Sequence, residues 1–224
     1  MNALQLVNEV LMNLDAEEAL SLDSAQGITK RALSWVNTAI AHIFNQSTSW
    51  SFREGRGTLS TVQGQEAYTF ASTVDVDSIK FINYADTGQP LRYLDYEEWF
   101  KRYHLFGYAP SDLNLQERPG CYTLIEQQLL LWPIPDQAYN LEFGYQKNPE
   151  ILGADTDTTA VPDKWHPLIV QGALYFGKLF LGDPDATAQA VILNKGIKDM
   201  LSQNRRYGGR TPGLRPDGLP ISEV

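Results

Sequence analysis

Sulfur and imidazole are scarce in this chain: 224 residues include one cysteine, Cys121, three methionines and three histidines. A lone cysteine excludes an internal disulfide framework and cannot by itself build a thiolate metal site, which fits a reducing compartment. His42, His104 and His166 fall in three separate segments, and no pair of them stands at metal-ligand spacing. The sequence also lacks a Gly-x-Ser-x-Gly elbow, a phosphate-cradling Gly-x-x-x-x-Gly-Lys-Ser/Thr loop and a dinucleotide fingerprint. No stretch approaches the roughly eighteen uninterrupted apolar residues of a membrane span. Met1 to Leu14 carries Asn8 and Glu9 where a secretion signal needs a basic and then an apolar run. The expectation is a soluble, unexported protein with no membrane contact.

Positive charge is short as well. Eighteen basic against twenty-seven acidic side chains leave a net charge of −9, which argues against a general nucleic-acid binder. The imbalance is uneven. Between Lys195 and Arg215 stand Lys195, Lys198, Arg205, Arg206, Arg210 and Arg215 against Asp199 alone, so this stretch is +5 and the remainder −14. Two regions so different in charge should meet different surroundings. With 43% hydrophobic and 20% charged residues the chain has the profile of a globular protein. At this length about 70% of the unfolded surface leaves water on folding, enough for one large domain or two small ones.

Hydrophobic spacing sets the elements. Leu4, Val7, Leu11 and Leu14 recur at helical steps. A second helix, with Asp23 or Ser24 as its cap, carries the stripe Ile28, Trp35, Val36, Ala39, Ile40, Ile43 and Phe44. After Ser47, Thr and aromatic residues alternate with polar ones and strands replace helices. Three hairpins are expected. Thr58 to Val62 and Ala67 to Phe70 flank a turn at Gly64, and Ser78 to Tyr84 and Leu91 to Tyr93 flank Asp86 and Gly88. Tyr122 to Ile125 and Leu129 to Trp132 enclose residues 126–128, and Asn140 to Gln146 is the next strand. Asp95 caps a short helix whose apolar members are Tyr96, Trp99, Phe100 and Tyr103. Residues 104–120 form an irregular excursion of the length typical of working loops.

Pro162 and Asp163 announce another helix, running through Trp165, Leu168, Gly172, Tyr175, Phe176 and Leu179 and ended by Gly182. Asp183 and Pro184 open the last one, with Ala190, Leu193, Ile197 and Leu201 on its buried side. From Gly208 onward, seven of seventeen residues are Gly or Pro, a density at which neither helix nor strand propagates. Leu214, Leu219, Ile221 and Val224 punctuate this stretch as apolar anchors, the pattern of an arm that orders on a partner.

Catalytic candidates are few. Glu97 or Glu98 opposite Asp95, Asp112 or Glu117 could form a glycosidase pair, but acids at a helix start answer the helix dipole more simply. Cys121 has no paired base motif and reads as a small packed residue. Trp99, Phe100, Tyr103, Phe106 and Tyr108 crowd into ten residues, as a sugar platform would, yet a helix packed on a sheet buries the first three anyway. His42 reads as a surface residue, His104 as a loop residue and His166 as a first-turn residue. The chain is expected to be no enzyme and to hold no cofactor or metal.

The order of the pieces is informative. It runs from Ser49-Trp50-Ser51-Phe52 through Thr61-Val62-Gln63-Gly64-Gln65-Glu66-Ala67-Tyr68-Thr69-Phe70 to Leu129-Leu130-Leu131-Trp132-Pro133-Ile134-Pro135-Asp136. Leu141-Glu142-Phe143-Gly144-Tyr145 and Val161-Pro162-Asp163-Lys164-Trp165-His166 follow, the last opening a helix with Gly172-Ala173. From about Leu4 to Tyr207 this order resembles the head-to-tail adaptor, or connector, proteins of tailed bacteriophages, of the short-tailed type. The resemblance implies an α+β fold: a helical core of about four helices, an inserted antiparallel β-rich domain and an extended C-terminal arm. The corresponding boundaries are 1–52 and 151–207 for the helices, 53–150 for the insertion and 208–224 for the arm. It also implies a virion structural protein of the neck, assembled in the host cytoplasm as a ring of twelve copies. Its partners would be the portal protein and tail or nozzle proteins, with double-stranded DNA passing through the lumen. Portal docking would fall to Arg205, Arg206, Arg210, Leu214, Arg215, Leu219 and Ile221. A tail completion or baseplate protein is the alternative, with a glycan-binding module or peptidoglycan hydrolase behind it.

Overall fold

Two periodicities govern the molecule, and they separate in space. A computed structural model describes residues 1–104 and 116–208, with the side chains of 103, 104 and 205–208 excepted. The chain divides into two units, Met1–Arg53 with Pro149–Val224, and Glu54–Asn148. The first is helical and the second is built of sheets, which is an α+β architecture.

The helical unit contains α1 (Ala3–Asn13), α2 (Gly27–Asn45), α4 (His166–Leu181) and α5 (Ala186–Gly208). At the start of α1 the Asn2 carboxamide accepts the Gln5 N–H at 2.9 Å, and the Gln5 side chain accepts the Asn2 N–H at 2.9 Å, so two amides without helical partners are satisfied together. The buried stripe of α1 is Ala3, Leu6, Val7, Val10 and Leu11, rotated from the expected one, with Leu4 and Leu14 at its margin. The α2 stripe is as expected from Trp35 to Phe44, but the cap is Gln26 and uses no side chain, which corrects the choice of Asp23 or Ser24. Leu22 explains the shift. It is buried, and its N–H is taken by the Asp155 carboxylate at 2.6 Å, so the chain is still pinned to the body where a cap would have begun the helix.

Small residues let the helices approach. A Cβ on Gly172 would stand 2.8 Å from the Ala39 Cβ, and one on Gly196 would stand 2.4 Å from a Leu168 methyl. Gly182 ends α4 at φ +70°, a conformation that favours glycine, and the chain turns directly into α5. The polar run 154–159 is a clasp: the Asp157 carboxylate accepts the Gly153 and Ala154 N–H groups at 2.8 Å each, while the Asp157 carbonyl accepts the Ala3 N–H at 2.8 Å. Asn37 holds the adjoining segment, donating to the Leu152 carbonyl and accepting its N–H, both at 2.9 Å.

The second unit has β1 (Glu54–Ser60), β2 (Ala67–Thr69), β3 (Val74–Asp75), β4 (Phe81–Tyr84), β5 (Arg92–Tyr93), α3 (Tyr96–Trp99), β6 (Cys121–Ile125), β7 (Gln128–Trp132) and β8 (Asn140–Lys147). In one sheet β8 pairs antiparallel with β1 on one side and with β3 and β4 on the other. The other sheet runs β2-β7-β6-β5, its last pair parallel. Both contribute to one interior, with Phe143 and Leu141 from β8 meeting Leu129, Leu131 and Tyr122 from β7 and β6. On β6 the side chains alternate: Tyr122 faces that interior, and Cys121 faces Leu94 and Trp99 beneath α3.

Two of the three expected hairpins are corrected. Thr58 to Val62 and Ala67 to Phe70 do not pair with each other, because β1 joins β8 and β2 joins β7. The connection between them crosses from one sheet to the other. It is fastened by Thr61, whose hydroxyl donates to the Gln137 carbonyl at 3.0 Å and accepts the Tyr139 N–H at 2.8 Å. The second hairpin exists only from Ile82 to Leu91, where the Leu91 N–H reaches the Ile82 carbonyl at 2.8 Å, after which β5 leaves to pair with β6. The third, β6 with β7, forms as expected around Glu126 at φ +53°.

Candidate partner-binding surfaces

The residues with chemical potential are mostly engaged in holding the fold. His166 is buried in the first turn of α4, with Nδ1 2.9 Å from the Met1 ammonium and Nε2 2.9 Å from the Val161 carbonyl. The Asp163 carboxylate lies 3.4 Å from the same Nδ1, so the ring is engaged on both sides. His42 is half-buried on α2, edge-on to Phe176 at 6.1 Å. Glu97 and Glu98 pair with Lys101 at 2.5 Å and Arg102 at 2.7 Å, one helical turn on, and the Asp95 carboxylate accepts the Glu97 N–H at 2.9 Å as a cap. These five side chains line an open recess of about 460 Å³. Glu117 lies elsewhere and exposed, and Asp112 falls outside the described residues. Cys121 is buried, its Sγ 3.4 Å from the Trp132 carbonyl oxygen. Among the described residues no group of three or more His, Cys, Asp or Glu is placed to hold a metal ion.

The aromatic cluster is corrected in part. Trp99 is fully buried, but Phe100 is 46% exposed, and Tyr96 beside it is also exposed. Phe100 follows Trp99 directly with helical dihedrals, φ −60° and ψ −46°, and successive helical residues point about 100° apart, so it leaves the face that Trp99 occupies. The side chains of Tyr103 and His104, and the whole of Phe106 and Tyr108, lie outside the described residues.

A second cluster gathers at one end of the sheets. The Arg118 guanidinium lies 3.9 Å from the Tyr84 ring centroid and 5.8 Å from that of Tyr139, and reaches Thr87 at 3.2 Å and Asp86 at 4.0 Å. Burial pushes the Tyr84 phenol above its ordinary range, against the opposing pull of Arg118, and its hydroxyl donates to the Pro119 carbonyl at 2.6 Å. A charge that stacks on rings and pairs with an acid in this way ties a loop down.

The helical unit offers a different surface. A small cleft of about 110 Å³ is lined by Trp50, Phe52, Lys164, Trp165, Met200 and Asn204, beside the last turns of α5. Leu179 is 58% exposed, and Phe180, Leu181, Val191 and Ile192 are exposed with it. The signal was present in the sequence: three consecutive apolar residues on a helix point about 100° apart and cannot share one core. Arg205 and Arg206 lie in the last turns of α5 with their side chains outside the described residues, and Arg210, Leu214, Arg215, Leu219 and Ile221 lie outside them altogether.

The family model for the SU10 adaptor protein matches residues 1–216. The chain belongs to the SU10 adaptor protein family. As a phage head-to-tail adaptor it is a structural protein of the virion, and membership implies association with portal and tail proteins and a place at the virion neck. The match runs through Arg215 and stops short of Leu219 and Ile221. No curated protein sequence matches the adaptor. No helix among the described residues is long and apolar enough to cross a membrane.

Proposed function

We propose that this adaptor closes into a ring of twelve copies beneath the portal, joins the portal to the tail or nozzle proteins, and surrounds the path of the DNA. It acts without catalysing a reaction and needs no cofactor. The observation that carries this reading is the division of charge: the stretch from Lys195 to Arg215 is +5 and the rest of the chain −14. An acidic body lets a phosphate backbone slide past without gripping it, while a basic segment can seek an acidic or carbonyl-rich face on a neighbour. Arg205, Arg206, Arg210, Leu214, Arg215, Leu219 and Ile221 form the portal-docking set. Repetition around a ring raises the effective concentration of each arm, so a modest affinity per copy suffices.

The test is a chain ending at Gly208, the last residue of α5. It is expected to fold and stay soluble but to be lost from portal in a pull-down. Recovery with portal at the full-length yield would overturn the arm's role.

A further inference from the structure

The linker between α1 and α2 presents one side chain in an unusual way. Ala19 is clamped by Asn8, which accepts its N–H at 2.9 Å and donates to its carbonyl at 3.0 Å. Leu22 is buried and fastened to Asp155. Between these two anchors Leu20 is 96% exposed. The linker is therefore held at both ends with a leucine thrust into solvent, and the exposed acids Asp15, Glu17, Glu18 and Asp23 flank it. A loop fixed in this way loses little further freedom on binding.

The α4–α5 hairpin of the same unit has the opposite character. Leu179, Phe180 and Leu181 in the last turn of α4, with Val191 and Ile192 on α5, are each between 52% and 66% exposed. Phe180 is held in place, with the Arg31 guanidinium 4.3 Å from its ring centroid and Trp35 at 6.0 Å. On α5, Val191, Lys195 and Lys198 are exposed at steps of four and three, so they share the stripe facing away from the buried residues Leu193 and Ile197. Lys178 lies 3.7 Å from Asp183 and 4.0 Å from Asp185, so the acids of the turn are answered locally. What remains on the outward stripe of α5 is Val191 beside positive charge, while Leu179, Phe180 and Leu181 are the apolar residues at the end of the hairpin.

We propose that the Leu20 linker of one copy docks on the α4–α5 hairpin of a second copy, with Leu20 against the apolar end and Glu17 and Glu18 toward Lys195 and Lys198. An apolar centre with charges at its margin is the usual anatomy of such contacts, and complementary charge fixes their register. The two surfaces differ, so the contact is head-to-tail and repeats from copy to copy until it closes. The exposed apolar area is on the order of several hundred Å², short of the ~800 Å² per side that stable complexes bury. A single contact is therefore weak and depends on a template to close the ring. This contact rests on the ring reading above and specifies its interface.

The full-length chain tests it without portal. L20C and V191C proteins, mixed at high concentration with a short bismaleimide, are expected to give a covalent dimer, and each alone is expected to give little. Lys195→Glu with Lys198→Glu in the V191C protein should cut that yield several-fold. Glu17→Lys with Glu18→Lys in the L20C protein should restore it. No product in the mixture, equal product from either protein alone, or no restoration by the paired reversal would overturn the contact. Failure of the wild-type chain to bind portal would instead overturn the adaptor-ring reading, and the crosslinking result would stand apart from it.

Discussion

The helical and sheet units solve the same problem, burying one face of each element, and leave different remainders. Of the large apolar side chains exposed among the described residues, those in the sheet unit are Val62, Tyr93, Tyr96 and Phe100, mostly aromatic. Those in the helical unit include Leu20, Ile151, Leu179, Phe180, Leu181, Val191 and Ile192, mostly aliphatic and concentrated on a linker and one hairpin. Sheets packed face to face cover their inner sides with each other, and α3 covers part of an outer side through Trp99. A four-helix arrangement has more outward surface than its interior can use. Where that surface is apolar and flanked by charge, it is better suited to a neighbour than to water.

The contrast can be broken from the inside. Phe44→Ala in the helical interior should cost about 3–5 kcal/mol, and Leu131→Ala between the sheets about 2–5 kcal/mol, since both side chains are fully buried. If the units are distinct cooperative bodies, amide hydrogen exchange will quicken in α1, α2, α4 and α5 for the first variant and in β1 to β8 for the second. Uniform loss of protection in both would show that they unfold as one.

A smaller effect should follow from crowding the α2–α4 contact. Gly172→Val places a side chain where a Cβ already stands 2.8 Å from the Ala39 Cβ, so thermal unfolding should report a loss of about 1–3 kcal/mol. Adding Ala39→Gly should return part of it, because the obstructing methyl is removed. An unchanged melting temperature in the single variant would show that the helices can separate freely.

The mildest contrast is in pH. Burial raises the phenol pKa of Tyr68, Tyr84 and Tyr122 in the sheet unit. Their contribution to stability is present below the ordinary phenol value near ~10 and is lost as pH rises through the raised folded value. In the helical unit the Gly153 and Ala154 N–H groups lower the Asp157 pKa. Its contribution is present above the ordinary carboxylate value near ~4 and fades as pH falls through the lowered folded one. Exchange measured across pH should therefore loosen the sheet unit first in alkali and the 153–157 clasp first in acid, the latter slightly because Asp157 is only half-buried. Asp157→Asn should abolish the acid step alone.

Spacing carried much of the architecture. The stripe from Trp35 to Phe44, the stop at Gly182 and the β6–β7 hairpin all follow from local residue order, because each depends on partners within a few positions. The partner-binding surface was less readable. The basic run and the Gly/Pro-rich arm are visible in composition, but Leu20 looks like any linker leucine until Asn8 and Asp155 are seen to pin the residues on either side of it. Leu179 is exposed as one of three consecutive apolar residues that cannot all face one core, and only the packed structure shows that Phe180 is the one held against Arg31 and Trp35.

What the amino-acid order determined by itself was which segments coil, which extend and where charge divides, since dihedral preference and side-chain periodicity act over one or two turns. The tertiary structure alone decided that β1 joins β8 and not β2, and that β5 runs parallel to β6. Backbone amides and carbonyls are chemically the same at nearly every residue, so a strand carries no address for its partner. The choice is made by which distant face lets both strands bury their apolar sides at once.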